Sequence, residues 1–411
     1  MMWHGMHELL YKMQLVGYDS GAYWDLVPKN TQGRVKVTAR IKRLRVVTIL
    51  LCLVGLGLPL LCLAQTVAVA NWLLRPYEQS IQKKFIRKAQ QRLAKRSDLI
   101  RIGITGSYGK TTVKNILAQM LSVKYRVVAS PASFNTPLGF ARTINENLKA
   151  DTQILIMEMG ARRRGEIREL CELLQPQHGI ITSIGACHLA TFGDIETVAQ
   201  TKAELFAALP ADAVAVTDGD NEYCRALHHP HLKLVKAAEQ PVFMTSLLGQ
   251  HQQKNIQMAA ALARALGVSD KDIRSVVKNL QPTPHRLERI VAPNGIIIFD
   301  DSYNANPVSA QSALAVIRAY PTRKVVQTPG FVEQGSNAAA AHATFCQQIK
   351  TVADAVIVVG EVNRDYFEQG LADWDGDVVY VPNREAAKKI YPQWLGKGDI
   401  LLMINDLPEQ Y

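Results

Sequence analysis

Residues 103–112 read GITGSYGKTT. The apolar run LIRIGI (99–104) leads into them, and after them Val113, Ile116, Leu117, Met120 and Leu121 recur at helical spacing. A buried strand, a glycine turn and a helix form the setting that a phosphate-binding loop requires. The spacing departs from the common G-x-x-x-x-G-K-[ST] pattern, because Ile104 stands where its first glycine would be. Gly106 and Gly109 still let backbone N–H groups approach phosphate oxygens, and the helix turns its positive end toward the same anion. Lys110 suits the β- and γ-phosphates, and the Thr111 hydroxyl suits Mg²⁺. A plain glycine turn is the competing reading, and Lys-Thr-Thr at the helix start weighs against it.

Downstream, apolar runs alternate with helical patterns. QILIMEMG (153–160) and GIITSIG (179–185) read as further strands, with helices expected over 163–174, 196–208 and 252–266. Near-continuous apolar strands separated by helices imply an α/β fold with a parallel sheet covered on both faces. A second series, GIIIFDD (295–301), KVVQTPG (324–330), DAVIVVG (354–360), DVVYVPN (377–383) and DILLMIND (399–406), implies a smaller doubly wound domain. QPTPH (281–285), with its two prolines, is the expected hinge between the two.

The chain carries a formal net charge of +11, much of it in RVKVTARIKRLR (34–45) and KKFIRKAQQRLAKR (83–96). Between these runs, residues 46–72 hold no charged side chain. Their length suits a membrane span with some tilt, and the run starts too late for a cleavable signal peptide. Equal numbers of Lys and Arg on the two flanks give no orientation preference. A hairpin broken at Gly55–Pro59 is the alternative to a single span. The expectation is therefore a basic segment over 1–45, a transmembrane segment over 46–72 and a basic linker helix over 73–98. The basic flanks would lie on anionic lipid rather than on nucleic acid, for which the sequence has no motif. The six cysteines form no C-x-x-C pair, which points to a reducing compartment and no zinc site.

Four acidic or imidazole residues stand at or just after strand ends. Glu158 closes an apolar strand beside the loop, where a carboxylate can hold Mg²⁺. His188 follows the strand in SIGACHLATFG (183–193), and alone it reads as structural as readily as a ligand. Asp300 and Asp301 close the first strand of the second series, where paired acids suit metal, ribose or phosphate chemistry; a solvated turn competes.

Together these motifs resemble the Mur ligases. TGSYGKTT (105–112) is similar to the family's T-G-T-x-G-K-T-[ST] loop, which accounts for the departure from the common spacing. IMEMGARRRGEI (156–167), SIGACHLATFG, AQTKAEL (199–205), GQHQQKN (249–255), HRLE (285–288) and DDSYNANP (300–307) follow in the family's order. They are most similar to the branch that adds D-alanyl-D-alanine to a muramoyl tripeptide. The resemblance implies a central ATP-binding domain over 99–284 and a C-terminal Rossmann-like domain over 285–411. It implies ATP-dependent amide bond formation in peptidoglycan precursor synthesis, through an acyl phosphate that an amine then attacks.

The resemblance also assigns residues. Thr105, Gly106, Ser107, Gly109, Lys110, Thr111 and Thr112 would bind ATP, together with Asn255 at the adenine, Arg286 at the phosphates and Asp301. Thr111 and Glu158 would hold one Mg²⁺, and His188 with a carbamylated Lys202 the second. Lys110, Lys202 and His188 would serve catalysis. Asn135 and Thr136 in SFNTPLG (133–139) would meet the muramoyl peptide, a UDP-linked or related wall precursor.

Some stretches depart from the family. Residues 1–98 stand where the family carries its UDP-holding domain, which makes a membrane-bound substrate conceivable and places the chain at the cell membrane with residues 100–411 on the cytoplasmic side. Gln252 replaces the first Asn of G-x-H-N, and the stretch between Cys224 and Gly249 is short. TPGFVEQG (328–335) and the ending INDLPEQY lie on the amine-binding side and leave the amine open. A polyglutamate-adding ligase and a catalytically weak membrane scaffold are the alternatives. DDSYNANP weighs against the first, and the retained Lys110, Thr111, Glu158, His188 and Lys202 weigh against the second.

Overall fold

The computed structural model describes residues 2–27, 37–54, 63–131, 134–187, 189–227, 233–303, 305–332 and 334–405. The described residues divide into two compact units, one up to Arg87 and one from Lys88 onward.

The first unit is helical. It contains α1 (Met2–Leu15), α2 (Ser20–Leu26), α3 (Ala39–Val54) and most of α4 (Leu63–Ala94). Met6, Leu10 and Met13 of α1, Tyr23 of α2, Ile41 and Leu44 of α3 and Val67 and Ala70 of α4 form one buried cluster. Polar side chains reinforce it: Asn71 donates to the Tyr18 carbonyl at 3.0 Å, and Arg43 grips Glu78 through two bonds of 2.6 and 2.9 Å.

This arrangement corrects the expected transmembrane segment and the cell-membrane localisation drawn from it. The apolar stretch 46–72 is shared between α3, which ends at Val54, and α4, which begins at Leu63, and residues 55–62 lie outside the described residues. Among the described residues, no helix is long and apolar enough to cross a membrane. Part of their apolar surface, including Leu44, Leu63, Val67 and Ala70, packs with α1 and α2 in one cluster, while Val46, Leu50, Val69 and Trp72 stay exposed.

The second unit holds two sheets. The first has the order β2-β3-β1-β4-β5-β6, from β1 (Ile100–Thr105), β2 (Val127–Ala129), β3 (Ile154–Glu158), β4 (His178–Ile181), β5 (Val214–Thr217) and β6 (Lys233–Lys236), all parallel. Ile102, Ile104, Ile154, Ile156 and Ile180 pack on α5 (Lys110–Leu121) and on α11 (Gln250–Ala265). The other helices here are α6 (Pro137–Asn147), α7 (Glu166–Leu174), α8 (Leu189–Phe192), α9 (Ile195–Ala207), α10 (Glu222–Arg225) and α12 (Asp270–Lys278). The last turns of α4, from Lys88 on, belong to this unit, and there Arg92 donates to the carbonyls of Asn145 and Leu148, both at 2.7 Å.

The second sheet has the order β11-β10-β9-β12-β8-β7. Its strands are β7 (Glu288–Val291), β8 (Ile297–Asp301), β9 (Lys324–Thr328), β10 (Ala355–Val359), β11 (Asp377–Val381) and β12 (Ile400–Ile404). All pairs are parallel except β7 with β8. The helices α13 (Pro307–Arg318), α14 (Ala338–Lys350), α15 (Arg364–Gly370) and α16 (Arg384–Trp394) complete it.

In the first sheet the chain runs from β1 out to β2 at the edge, returns to β3 beside β1, then crosses to the other side of β1 for β4. The carboxyl end of β1 is therefore a topological switch point, where open α/β sheets bind ligands. Ile156 is fully buried in the strand between β1 and β2. Ile156→Ala is expected to cost about 2–5 kcal/mol in chemical denaturation.

Candidate active site

The loop after β1 is wedged between strand ends. Gly106 has φ 144°, and a Cβ there would lie 2.1 Å from Thr182 Oγ1, so glycine is required on both counts. Below it, Thr105 is buried and donates through Oγ1 to the Met159 carbonyl at 3.0 Å, tying β1 to the segment after β3. The Ser107 amide donates to the Ser183 carbonyl at 2.7 Å, and the Ser107 hydroxyl meets Gly185 at 3.0 Å. Gly109, at φ 80°, starts α5 and lies so close to Asn255 that a Cβ would come within 2.7 Å of its Oδ1. The Lys110 ammonium folds back onto the carbonyls of Gly106 and Ser107 at 2.7 and 3.0 Å. Burial is the main influence lowering its pKa, with Glu158 pulling the other way. A polyphosphate in the loop would give this cation a stronger partner than two carbonyls.

Thr111 donates through Oγ1 to Glu158 Oε2 at 2.9 Å. Both are hard oxygen donors facing the cleft, the ligand type that Mg²⁺ prefers. The position expected to hold a second metal is different. Lys202 is only 1 % exposed, and its ammonium stands 5.8 Å above the Phe192 ring. Burial first, and then repulsion from Lys110, push its pKa down to about 7. An ammonium cannot ligate a cation, so this residue could hold a metal only after losing its proton or becoming an anion. His188 lies outside the described residues.

From the second sheet, β8 delivers Asp300 and Asp301. Asp300 Oδ2 is 2.7 Å from His285 Nδ1, and Asp301 Oδ1 accepts from the Leu287 amide at 3.1 Å. These bonds hold a strained turn, since His285 and Leu287 take φ 61° and 52°. Arg286 stands between them with its guanidinium 4.8 Å over the Tyr303 ring. Asp301 Oδ2 is buried with no hydrogen-bond partner among the described residues. Burial pushes the Asp301 carboxyl up to about 6, against the pull of Arg286. His251 also keeps an unpartnered buried Nδ1, and burial followed by Arg286 pushes its pKa down to about 4.

One cleft of about 830 Å³ brings together most of the positions singled out in the sequence. Gly106, Ser107, Gly109, Lys110, Thr111 and Thr112 line it, as do Asn135, Glu158, Lys202, Asn255, Arg286 and Asp301. Thr105 lies under the loop rather than in the cleft. Thr136 caps α6, accepting from the Gly139 amide at 3.3 Å, and does not line it either. Sequence reasoning missed Lys254, which lines the cleft and pairs with Asp220 at 3.1 Å. It also missed Lys114, fully buried against Glu158 at 3.4 Å. The available signal for Lys114 was its place three residues after Thr111, on the same helix face. A wider groove of about 1480 Å³ near Phe243 and Lys278 contains none of the loop residues.

The cleft thus joins a glycine-turn loop, a buried acid beside its threonine and an arginine from the turn that leads into the second sheet. Two family models match, the Mur ligase middle domain over residues 104–240 and the Mur ligase glutamate ligase domain over 285–404, and the chain belongs to the Mur ligase family. The UDP-N-acetylmuramoyl-tripeptide–D-alanyl-D-alanine ligase of Mycobacterium tuberculosis (strain ATCC 25618 / H37Rv) is 33 % identical over 277 residues, 59 % of this chain and 54 % of that protein. The protein of that name from Bacillus subtilis (strain 168) is 27 % identical over 333 residues, covering 73 % and 72 %. The chain thus spans about half the length of the mycobacterial relatives. Among solved structures, MurF ligase from Thermotoga maritima in complex with ADP superposes with a TM-score of 0.69 at 23 % identity, over 79 % of this chain and 80 % of that one. The Mycobacterium tuberculosis folylpolyglutamate synthase complexed with ADP and AMPPCP gives 0.60 at 16 % identity, over 80 % and 95 %. These two share the fold.

Gly106→Ala forces a side chain into Thr182 and is expected to abolish ADP binding in calorimetry while the circular dichroism spectrum is retained. Unchanged ADP affinity would show that the loop opens without its contact to β4.

Proposed function

We propose that the chain is an ATP-dependent amide-forming ligase of peptidoglycan precursor synthesis. A muramoyl-peptide carboxylate takes the γ-phosphoryl group, and D-alanyl-D-alanine or a similar amine attacks the activated carbonyl and releases phosphate. The observation that carries this reading is the Thr111–Glu158 pair beside Lys110, in a cleft that Arg286 and Asp301 complete. A carboxylate is a poor acyl donor, and phosphorylation supplies the leaving group. The protein's part is then alignment and neutralisation of charge on the transferred group.

Each residue has a role in this account. Lys110 exchanges its carbonyl partners for phosphate oxygens, and Arg286 adds a second cation from across the cleft. Thr111 and Glu158 would hold Mg²⁺, which supplies charge neutralisation at the phosphates when bound. The unpartnered Asp301 Oδ2 would accept from a ribose hydroxyl, and Asn255, against Gly109, would meet the nucleotide from the helix side. Asn135, whose carbonyl accepts from the Gly160 amide at 3.0 Å, would face the muramoyl peptide.

Lys202 would act as a carbamate, with His188 as co-ligand of a second Mg²⁺. Its buried amine, poised near pH 7, is half neutral there and so can add CO₂ at its nitrogen. The product is an anion that suits the surrounding cations.

Phosphate release from ATP is expected to require both UDP-muramoyl-tripeptide and D-alanyl-D-alanine, and to fall by about a hundredfold or more in Lys110→Ala. Turnover indifferent to either acceptor would overturn the reading. With ¹³C-bicarbonate, a carbamate carbonyl resonance is expected that is absent in Lys202→Ala. It should fade as the pH falls below about 7, because protonation removes the nucleophilic amine.

A further inference from the structure

Lys114 lies one turn past the phosphate loop on α5. It is 1 % exposed, and its ammonium is 3.4 Å from Glu158 Oε2, the oxygen that accepts from Thr111 at 2.9 Å. Glu158 faces the cleft, whereas Lys114 is not part of its lining and reaches the carboxylate from within the protein. Residues around it on the helix, Val113, Ile116 and Leu117, belong to the apolar core, where an isolated ammonium is strongly disfavoured. The metal reading therefore places a fixed cation directly behind the carboxylate meant to receive a divalent one.

We propose that Lys114 is a positioning residue that sets when the metal binds. It keeps Glu158 aimed at Thr111, and it cancels the carboxylate's charge while the cleft lacks nucleotide. A divalent cation then meets a locally neutral pair, with Lys110 adding further repulsion. Among the described residues, no group of three or more His, Cys, Asp or Glu side chains gathers to offset this. Nucleotide phosphates supply the missing negative charge, so the cation is held together with nucleotide and released with it. The inference rests on the reading that Thr111 and Glu158 ligate Mg²⁺.

The test uses Mn²⁺ as the probe, followed by electron paramagnetic resonance on the whole chain with and without ADP. The wild-type protein is expected to bind Mn²⁺ weakly without ADP and much more tightly with it. Lys114→Met should tighten nucleotide-free Mn²⁺ binding by about tenfold or more, since a unit charge a few ångströms from a divalent ion is removed. Lys114→Arg, which keeps the charge, should behave as wild type. Should Lys114→Met fail to fold, Lys114→Gln carries the same expectation with a neutral donor left beside Glu158.

Unchanged or weaker Mn²⁺ binding in the neutral variants would overturn the proposal, as would a lowered melting temperature with the ADP dependence intact. Tight Mn²⁺ binding by the wild-type chain without ADP would overturn it too. Glu158→Gln separates the two levels. If it loses Mn²⁺ while Lys114→Met changes nothing, the metal site stands and the role of Lys114 falls. If it binds Mn²⁺ as wild type does, the metal site falls and the proposal with it.

Discussion

The close approach at Gly106 is the constraint from which the site follows. With no room for even a methyl group against Thr182, the loop after β1 is clamped to the end of β4, while Thr105 clamps it to the segment after β3. Three neighbouring strand ends are thereby locked at the switch point of the sheet. That lock aims the start of α5, and with it Lys110 and Thr111, at the acid that ends β3. The second sheet adds its own clamp, in which Asp300 and Asp301 hold the strained turn around Arg286.

The charge inside this frame is unbalanced. Lys110, Lys114, Lys202 and Arg286 all stand in or beside the cleft, and burial lowers the pKa of each. Burial acts on Asp301 in the opposite sense and pushes its carboxyl up to about 6. Burial thus works against the charged form of each of these groups. A polyphosphate entering the cleft would offset that cost for the cations, which is the electrostatic form expected of a site complementary to a phosphoryl group in transfer. Strain and incomplete satisfaction collect at the same place, as in other functional sites.

Much of this was legible in the sequence. The strand–loop–helix around GITGSYGKTT has strong periodicity and distinctive residues, and the second series of strands is near-continuously apolar. The short edge elements were not legible: β2 is only Val127–Ala129, and β7 is a four-residue antiparallel edge with exposed side chains. The stretch 46–72 misled because an uncharged apolar run looks the same whether its side chains face lipid or one another. Only packing on Met6, Leu10 and Tyr23 decides that. In AQTKAELF, nothing local distinguishes a solvated lysine from the buried Lys202, and the distinction came from the ordered resemblance. Lys114 stayed hidden because its partner, Glu158, lies on a strand distant in sequence.

The central claim is that ATP is used to turn a carboxylate into an acyl phosphate, and oxygen tracing tests it most directly. With the substrate carboxylate labelled with ¹⁸O, one labelled oxygen should appear in the inorganic phosphate released during amide formation. Phosphate free of label, or release of AMP and pyrophosphate instead, would contradict the account.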